Sequence, residues 1–273
     1  MLRKIISVSV AVAILTLVLL KFPQYFPFLV LIVSVGCIYE WCKMIRLDFA
    51  ETIAFSLATI FLGWVAYSQE SVYVLAVLWA LIALHCVIAS YVIYRFEKQA
   101  YYNIHKVYLG LVGVLLIATF ANSTILLYYR GIGNLFYIVA MVSISDSIIY
   151  LIDRRIGKYR IAPRTNANRI FGGIIGGLVS VVLLFVITII FQFHWGVFIL
   201  ETIAPYELLI ISLLSIIAST MGNLFINLIN KQNKVRNSGI MLGNGVVLYS
   251  LGTLLTAIPI FLLLHYITLF YIH

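Results

Sequence analysis

The residues of this sequence that could do chemistry are a few polar side chains within long apolar stretches. Asp146, in Ser145-Asp146-Ser147, lies about two helical turns before the end of one such stretch, where a carboxylate needs a cationic or hydrogen-bonding partner. Tyr150 and Asp153 follow at i+4 and i+7, so the three residues form a polar stripe on one helix face. This pattern predicts a functional site around Asp146 in preference to a structural hydrogen bond.

A second polar face lies further along the chain. Asn223, Asn227 and Asn230 are spaced i, i+4, i+7, which places three carboxamides on one side of an otherwise apolar helix. Either these side chains line the same site as Asp146, or they only join helices through hydrogen bonds. A basic stretch and a turn-forming segment follow, with Lys231, Lys234, Arg236, Asn237 and Gly243-Asn244-Gly245.

The elements that position these residues are membrane helices. Of the 273 residues, 64% are hydrophobic and 10% are charged, with a mean hydropathy of +1.12, whereas globular domains carry about 25% charged residues. We therefore expect an all-α fold, a single integral-membrane domain over residues 1–273 with about nine transmembrane helices. The predicted spans are 5–20, 26–44, 49–67, 72–94, 107–129, 132–152, 170–191, 206–230 and 246–272.

The basic residues predict the orientation of these helices. With the N-terminus in the cytoplasm, only Lys21 and Arg130 of the 18 lysines and arginines fall outside, a strong positive-inside bias. We expect a multi-pass protein of the bacterial cytoplasmic (inner) membrane, because no organelle-targeting segment is evident. The net charge of +9 suits anionic lipid headgroups, and no surface of interleaved basic and aromatic residues indicates a nucleic-acid partner.

Other chemically suggestive residues have structural explanations. The glycines at 172, 173, 176 and 177 predict close helix packing more readily than ligand contact. The three cysteines and five histidines lack metal-ligand spacing, which favours ordinary structural roles. Glu40 leaves two alternatives open, since its side chain either extends to the membrane interface or belongs to a pocket.

The spacing of several motifs carries a family resemblance. Asp146-Ser-Ile-Ile-Tyr150, Gly157-Lys158-Tyr-Arg160-Ile-Ala-Pro163 and Arg169-Ile-Phe-Gly-Gly173-Ile-Ile-Gly-Gly177 follow one another along the chain. They resemble the central region of the phosphatidate cytidylyltransferases, also called CDP-diacylglycerol synthases, in which an Asp precedes a Tyr by four residues, Gly-Lys leads to a Pro, and Ser-Pro-x-Lys-Thr-x-Glu-Gly follows. Residues 219–245 are similar to the family's C-terminal signature, and Glu40-Trp41 matches a weaker feature. The chain thus resembles a divergent member with signature regions 146–177 and 219–245.

The departures from that pattern remove almost every carboxylate of the signature. In the central region the family's Ser-Pro is Asn166-Ala167, its Lys is Arg169 and its Glu is Gly172. In the C-terminal region Asn223 and Asn237 stand where the family has Asp, Asn227 where it has Ser, Asn230 where it has Lys, and Asn244 lies in a shortened Pro-Gly-His-Gly-Gly segment.

The resemblance implies attack of a phosphatidate phosphate on the α-phosphorus of CTP, giving CDP-diacylglycerol and pyrophosphate. Such transfers rely on Mg²⁺ held by carboxylates, and Asp146 is the acid that remains, as the catalytic residue and a weak metal ligand. The expected phosphate-binding charges remain more completely, at Lys158, Arg160, Arg164, Arg169, Lys231 and Arg236. The same site is expected to be lined by Asn223, Asn227, Asn230, Asn237 and Asn244.

Two hypotheses follow. The chain is either an active family enzyme that uses CTP and Mg²⁺, or an inactive paralogue that binds phosphatidate, another anionic lipid or a nucleotide without turnover. A channel or transporter is less well supported, because the hydropathy shows no inverted repeat and no ring of charges marks a pore. The resemblance also implies a homodimer.

Overall fold

Helices form every element in the part of the chain that the structure describes. The computed structural model describes residues 23–68, 72–99, 105–156, 175–183, 186, 187, 190, 205–232, 248 and 251–272. A short 3-10 turn at Pro23–Tyr25 precedes the helices α1 Phe26–Met44, α2 Phe49–Ser68, α3 Val72–Gln99, α4 Lys106–Arg130, α5 Ile132–Ile156, α6 Pro205–Gln232 and α7 Leu254–Ile272. Residues 175–183 form a further helical stretch between α5 and α6.

The lengths and composition of these helices confirm a polytopic membrane protein. Four segments are long and apolar enough to cross a membrane, namely Phe26–Met44, Tyr73–Phe96, Lys106–Arg130 and Tyr206–Gln232, and three apolar helices are shorter. The predicted span 5–20 lies outside the described residues, and the span 170–191 is described only in part. The count of nine spans therefore stays a prediction.

Helix α4 forms the centre of the bundle. It packs against α1, α2, α3, α5 and α7, and most of its side chains are buried. Trp41 of α1 is fully buried beside it and donates a hydrogen bond from Nε1 to the Leu109 carbonyl at 2.8 Å. A Cβ at Gly113 would lie 2.4 Å from Trp41 Nε1, so glycine permits this approach. Close packing and interhelical hydrogen bonds are what hold membrane helices together.

Loops at one end of the bundle bring predicted cytoplasmic residues together. After α1 the chain turns at Arg46, which has a φ of 56°, and α2 then begins with a bond from the Asp48 amide to Glu51 Oε2 at 3.1 Å. Lys106, at the start of α4, donates from Nζ to the Arg46 carbonyl at 3.3 Å. The first turn of α4 thus lies beside the loop that follows α1.

The last predicted span, 246–272, includes a turn, and its start lies outside the described residues. The helix α7 begins at Leu254, after a turn at Gly252 and Thr253. The Thr253 carbonyl accepts from the Ala257 amide at 3.2 Å, so Thr253 occupies the N-cap position, which threonine favours. Hydropathy alone did not reveal this turn, because Leu251, Leu254 and Leu255 continue the apolar pattern across it.

Candidate functional site at the start of the last helix

Asp146 lies on α5 and reaches the residue that begins α7. Its Oδ2 accepts a hydrogen bond from the Thr253 hydroxyl at 3.0 Å, and its side chain is half-buried. The neighbouring hydroxyls of Ser143 and Ser147 bond to carbonyls of their own helix, at Val139 and Ser143. These serines therefore donate to their own helix backbone and not to Asp146, which accepts a hydrogen bond from Thr253 at the start of α7.

Glycines allow the helical stretch 175–183 to pack closely beside this part of α5. A Cβ at Gly176 would lie 3.1 Å from the Ser145 carbonyl and 3.3 Å from Ile148 Cβ. A Cβ at Gly177 would lie 2.8 Å from Ile216 Cγ2 of α6. The predicted packing role is thus confirmed for these two glycines, while Gly172 and Gly173 lie outside the described residues.

Helix α6 carries the asparagine face and also packs against the start of α7. Asn227 Nδ2 donates to Asn223 Oδ1 at 2.9 Å, so the two amides satisfy each other in part. One turn after Thr253, Thr256 donates to the Ala218 carbonyl at 3.1 Å. A Cβ at Gly222 would lie 2.5 Å from Thr256 Oγ1. Because Thr253 contacts α5 and Thr256 contacts α6, the start of α7 joins these two helices.

Glu40 of α1 holds the chain that leads into α7. The side chain is only 6% exposed, and Oε2 accepts from the Leu248 amide at 2.8 Å. A buried carboxylate needs such a partner, and extension to the membrane interface, one of the two alternatives, is excluded by its burial. Between Leu248 and Thr253, two acids from α1 and α5 therefore contact the same short segment.

The structure describes only some of the side chains that were predicted to bind phosphate or to line the site. Lys231 is exposed in the last turn of α6, and Asn230 beside it is half-buried. The segments 157–174 and 233–247 lie outside the described residues; they contain Lys158, Arg160, Arg164, Arg169, Arg236, Asn237 and Asn244. Of the predicted phosphate-binding cations, Lys231 is therefore the one whose place the structure describes, at the C-terminal end of α6.

A resident magnesium site does not fit the donors that the structure describes. Magnesium favours carboxylates and other oxygen ligands in a near-octahedral arrangement. No three His, Cys, Asp or Glu residues in the described part of the chain come together as a metal site. One oxygen of Asp146 already accepts from Thr253, and the Asn223 oxygen accepts from Asn227. The arrangement therefore offers one half-buried carboxylate beside neutral amides.

Sequence reasoning missed the two threonines of α7. Thr253 and Thr256 carry no charge and sit three residues apart in an apolar stretch, so nothing in the sequence alone distinguishes them from ordinary membrane threonines. Their partners, Asp146 and Ala218, are 107 and 38 residues away along the chain. Only the helix arrangement reveals them.

Comparison with known proteins finds a matching family and several related proteins. A family model described as "Cytidylyltransferase family" matches residues 2–268. The chain is 29% identical over 134 residues to the phosphatidate cytidylyltransferase of Haemophilus influenzae. That alignment covers 49% of this chain and 46% of the relative, so the similarity spans about half the length of each protein.

Proposed function

Because the chain belongs to the cytidylyltransferase family, we propose that it acts in phospholipid biosynthesis and that its site binds phosphatidate. The lipid phosphate would lie beside the start of α7, toward the end of the bundle where Lys231 stands. The relative from Haemophilus influenzae bears the name of the enzyme that acts on this lipid, which supports the choice of phosphatidate over other anionic lipids.

One observation carries this proposal. The start of α7 joins the helices that carry the two polar faces, through contacts of Thr253 with α5 and of Thr256 with α6, and Asp146 is the carboxylate that contacts it there. A phosphate monoester carries one to two negative charges at neutral pH, so a site with several cations and few carboxylates favours it electrostatically. Loss of the family's other acids lowers repulsion toward the phosphate while it weakens metal binding.

The basic residues would bind the phosphate in different ways. Lys231 offers a compact ammonium at the membrane boundary, where long side chains reach headgroups. Arg169, where the family has Lys, offers a planar fork that can donate two parallel hydrogen bonds to one phosphate. Lys158, Arg160, Arg164 and Arg236 would supply the remaining positive charge. We propose these roles from residue type and position along the chain.

The second candidate function is the family reaction itself, and the position of Asp146 favours it. Its carboxylate is held by Thr253 at the junction of α5, α6 and α7, where a reacting phosphate would have to lie. In this candidate CTP is the second substrate, and Mg²⁺ would supply the charge neutralisation that such transfers need. Asp146 would be the catalytic residue.

The deciding experiment measures binding and turnover on one preparation. Purified protein is titrated with dioleoyl phosphatidate with Mg²⁺ and with EDTA, and pyrophosphate release from CTP is followed in parallel. We expect equal phosphatidate affinity in both conditions and no pyrophosphate. Pyrophosphate release that Asp146→Asn abolishes would establish the second candidate, and no phosphatidate binding in either condition would refute the first.

A matched pair of lysine variants tests the place of binding. Lys231→Gln should weaken phosphatidate binding several-fold, because one cation beside the phosphate is lost. Lys106→Gln is the control, since Lys106 is an exposed lysine at a helix end that instead contacts the Arg46 carbonyl. Equal loss in both variants would indicate non-specific attraction to basic residues. Arg169→Ala extends the test to the basic segment.

We also propose the finer location and the assembly. The bacterial cytoplasmic membrane with the N-terminus inside is supported by the distribution of basic residues, and a homodimer by the resemblance to the family. In a cysteine-free background, Arg130→Cys should react with an impermeant maleimide that is added outside the cell. Lys231→Cys should react only when the same reagent is present on the inner side of the membrane. Light scattering of the detergent-solubilised protein measures the assembly.

A further inference from the structure

The end of the bundle opposite Asp146 holds polar residues that the proposed function does not use. Arg130 ends α4, whereas Lys106 begins the same helix beside the loop after α1. A helix of 25 residues is about 37 Å long, which is enough to cross a bilayer. Arg130 contacts Tyr266 near the end of α7, and Thr253 lies at the start of that helix. The two regions thus lie toward opposite ends of the bundle.

Aromatic side chains hold Arg130 at this end of the bundle. Its guanidinium carbon lies 4.5 Å from the centroid of the Tyr266 ring, a cation–π contact. Trp79 of α3 packs on Tyr266 with ring centroids 5.2 Å apart, and the Trp79 Nε1 donates to the Ser123 hydroxyl of α4 at 2.8 Å. Tyr266 is therefore fixed between α3 and α4, with Arg130 against its ring.

Among the residues that the structure describes, several buried polar atoms near Arg130 and along α4 have no hydrogen-bond partner. They are Tyr266 Oη, His265 Nδ1 and Thr119 Oγ1, on side chains that are 8%, 7% and 0% exposed. Unsatisfied buried polar groups destabilise a fold, and native structures contain few of them. Thr119, Ser123 and Arg130 lie at i, i+4 and i+11 on one face of α4. A polar track thus leads inward from Arg130.

We propose that Arg130, Tyr266 and His265 form a second binding site, for the phosphate of a phospholipid headgroup. The Tyr266 ring, and no carboxylate, is the contact that the described residues offer Arg130, so its guanidinium can donate to an anion. A tyrosine hydroxyl and a histidine nitrogen can each donate a further hydrogen bond. Arg130 stands at a helix end, the depth of lipid headgroups. This site is independent of the phosphatidate site at the other end of the bundle.

Native mass spectrometry of the purified chain in detergent tests the proposal, with dioleoyl phosphatidate as the probe. We expect two bound lipids, and at least fivefold weaker binding of one of them in Arg130→Gln. Tyr266→Phe keeps the ring that packs on Trp79 and removes only the hydroxyl, so an intermediate loss is expected.

Inorganic phosphate as competitor separates the two sources of the phosphate group. Displacement of the lipid means that free phosphate is sufficient, and retention means that the acyl chains are needed.

The control is Arg95→Gln, because Arg95 also lies over a tyrosine ring, 5.4 Å from the centroid of Tyr91, and the charge change is the same. If Arg130→Gln binds lipid like Arg95→Gln, Arg130 is only an interfacial anchor and the proposal is wrong. Diacylglycerol binding that depends equally on Arg130 would also overturn it. Lys231→Gln should weaken binding only of the lipid at the phosphatidate site. The effect of Arg130→Gln can therefore be interpreted even if the proposed function is wrong.

Discussion

The two membrane acids, Glu40 and Asp146, contact the same segment before α7 in different ways. Glu40 is buried and accepts a backbone amide, from Leu248. Asp146 is half-buried and accepts a side-chain hydroxyl, from Thr253. A backbone donor must be satisfied in the membrane whatever the function, whereas a threonine hydroxyl is replaceable. The comparison supports a structural role for Glu40, and the chemical role of Asp146 stays a prediction.

The comparison also bears on the resemblance to the family. Glu40-Trp41 survives in a chain that has lost the acids at its C-terminal motif. Trp41 is fully buried and bonded to Leu109, and Glu40 is bonded to Leu248. These contacts join α1 to α4 and to the approach of α7. Glu40 and Trp41, which match the family feature, thus contact the scaffold, whereas the positions that the resemblance implies for metal ligands carry other residues in this chain.

The largest expected effect is on stability, from Glu40→Ala. The substitution leaves the Leu248 amide buried without an acceptor, which costs about 1–3 kcal/mol, so thermal unfolding in detergent should occur several degrees lower. Glu40→Gln keeps an acceptor oxygen and should lose less. The control is Glu51→Ala, because Glu51 also accepts a backbone amide, from Asp48, but at an exposed position. Equal losses for Glu40→Ala and Glu51→Ala would contradict the structural role of Glu40.

Thr253→Val tests the second contact of the comparison, the hydrogen bond between Thr253 and Asp146. It removes the hydroxyl that Asp146 accepts and keeps the side-chain shape, so a stability loss of about 0.5–1.5 kcal/mol is expected for one hydrogen bond. Thr253→Ser retains the hydroxyl and should restore most of this loss, as read from the same thermal unfolding. If valine and serine behave alike, the hydroxyl does not hold Asp146 in solution.

Asp146→Asn should change stability least among the acid variants and should affect ligand binding instead. Asparagine can still accept from Thr253, so we expect a loss below about 1 kcal/mol. Removing a negative charge near the lipid phosphate should tighten phosphatidate binding by about fivefold, since like charges within the site repel. Isothermal titration with dioleoyl phosphatidate measures this, and weaker binding would indicate that Asp146 contacts the lipid through a metal ion or a proton.

The sequence predicted the helices better than the contacts among them. The predicted spans 26–44 and 49–67 agree with Phe26–Met44 and Phe49–Ser68, because apolar length, Pro27 and the Asp48-Glu51 start are local signals. The residue spacing also predicted that Asp146 lies in a polar stripe on one face of its helix. Its bond to Thr253 was not, because the two residues are 107 positions apart and helix packing, which no local pattern encodes, brings them together.

Asn223→Asp gives the smallest expected change and the sharpest test of the lost metal site. The carboxylate keeps the acceptor for Asn227 Nδ2, so stability without metal should stay within about 0.5 kcal/mol. The new carboxylate, on α6, would be the second acid of the predicted site, after Asp146. Two carboxylates hold Mg²⁺ better than one. Addition of Mg²⁺ should therefore raise the unfolding temperature of Asn223→Asp by a degree or more and leave that of the wild type unchanged. An equal rise in both proteins would mean that the wild-type site already binds Mg²⁺, and the family reaction would then become the better proposal.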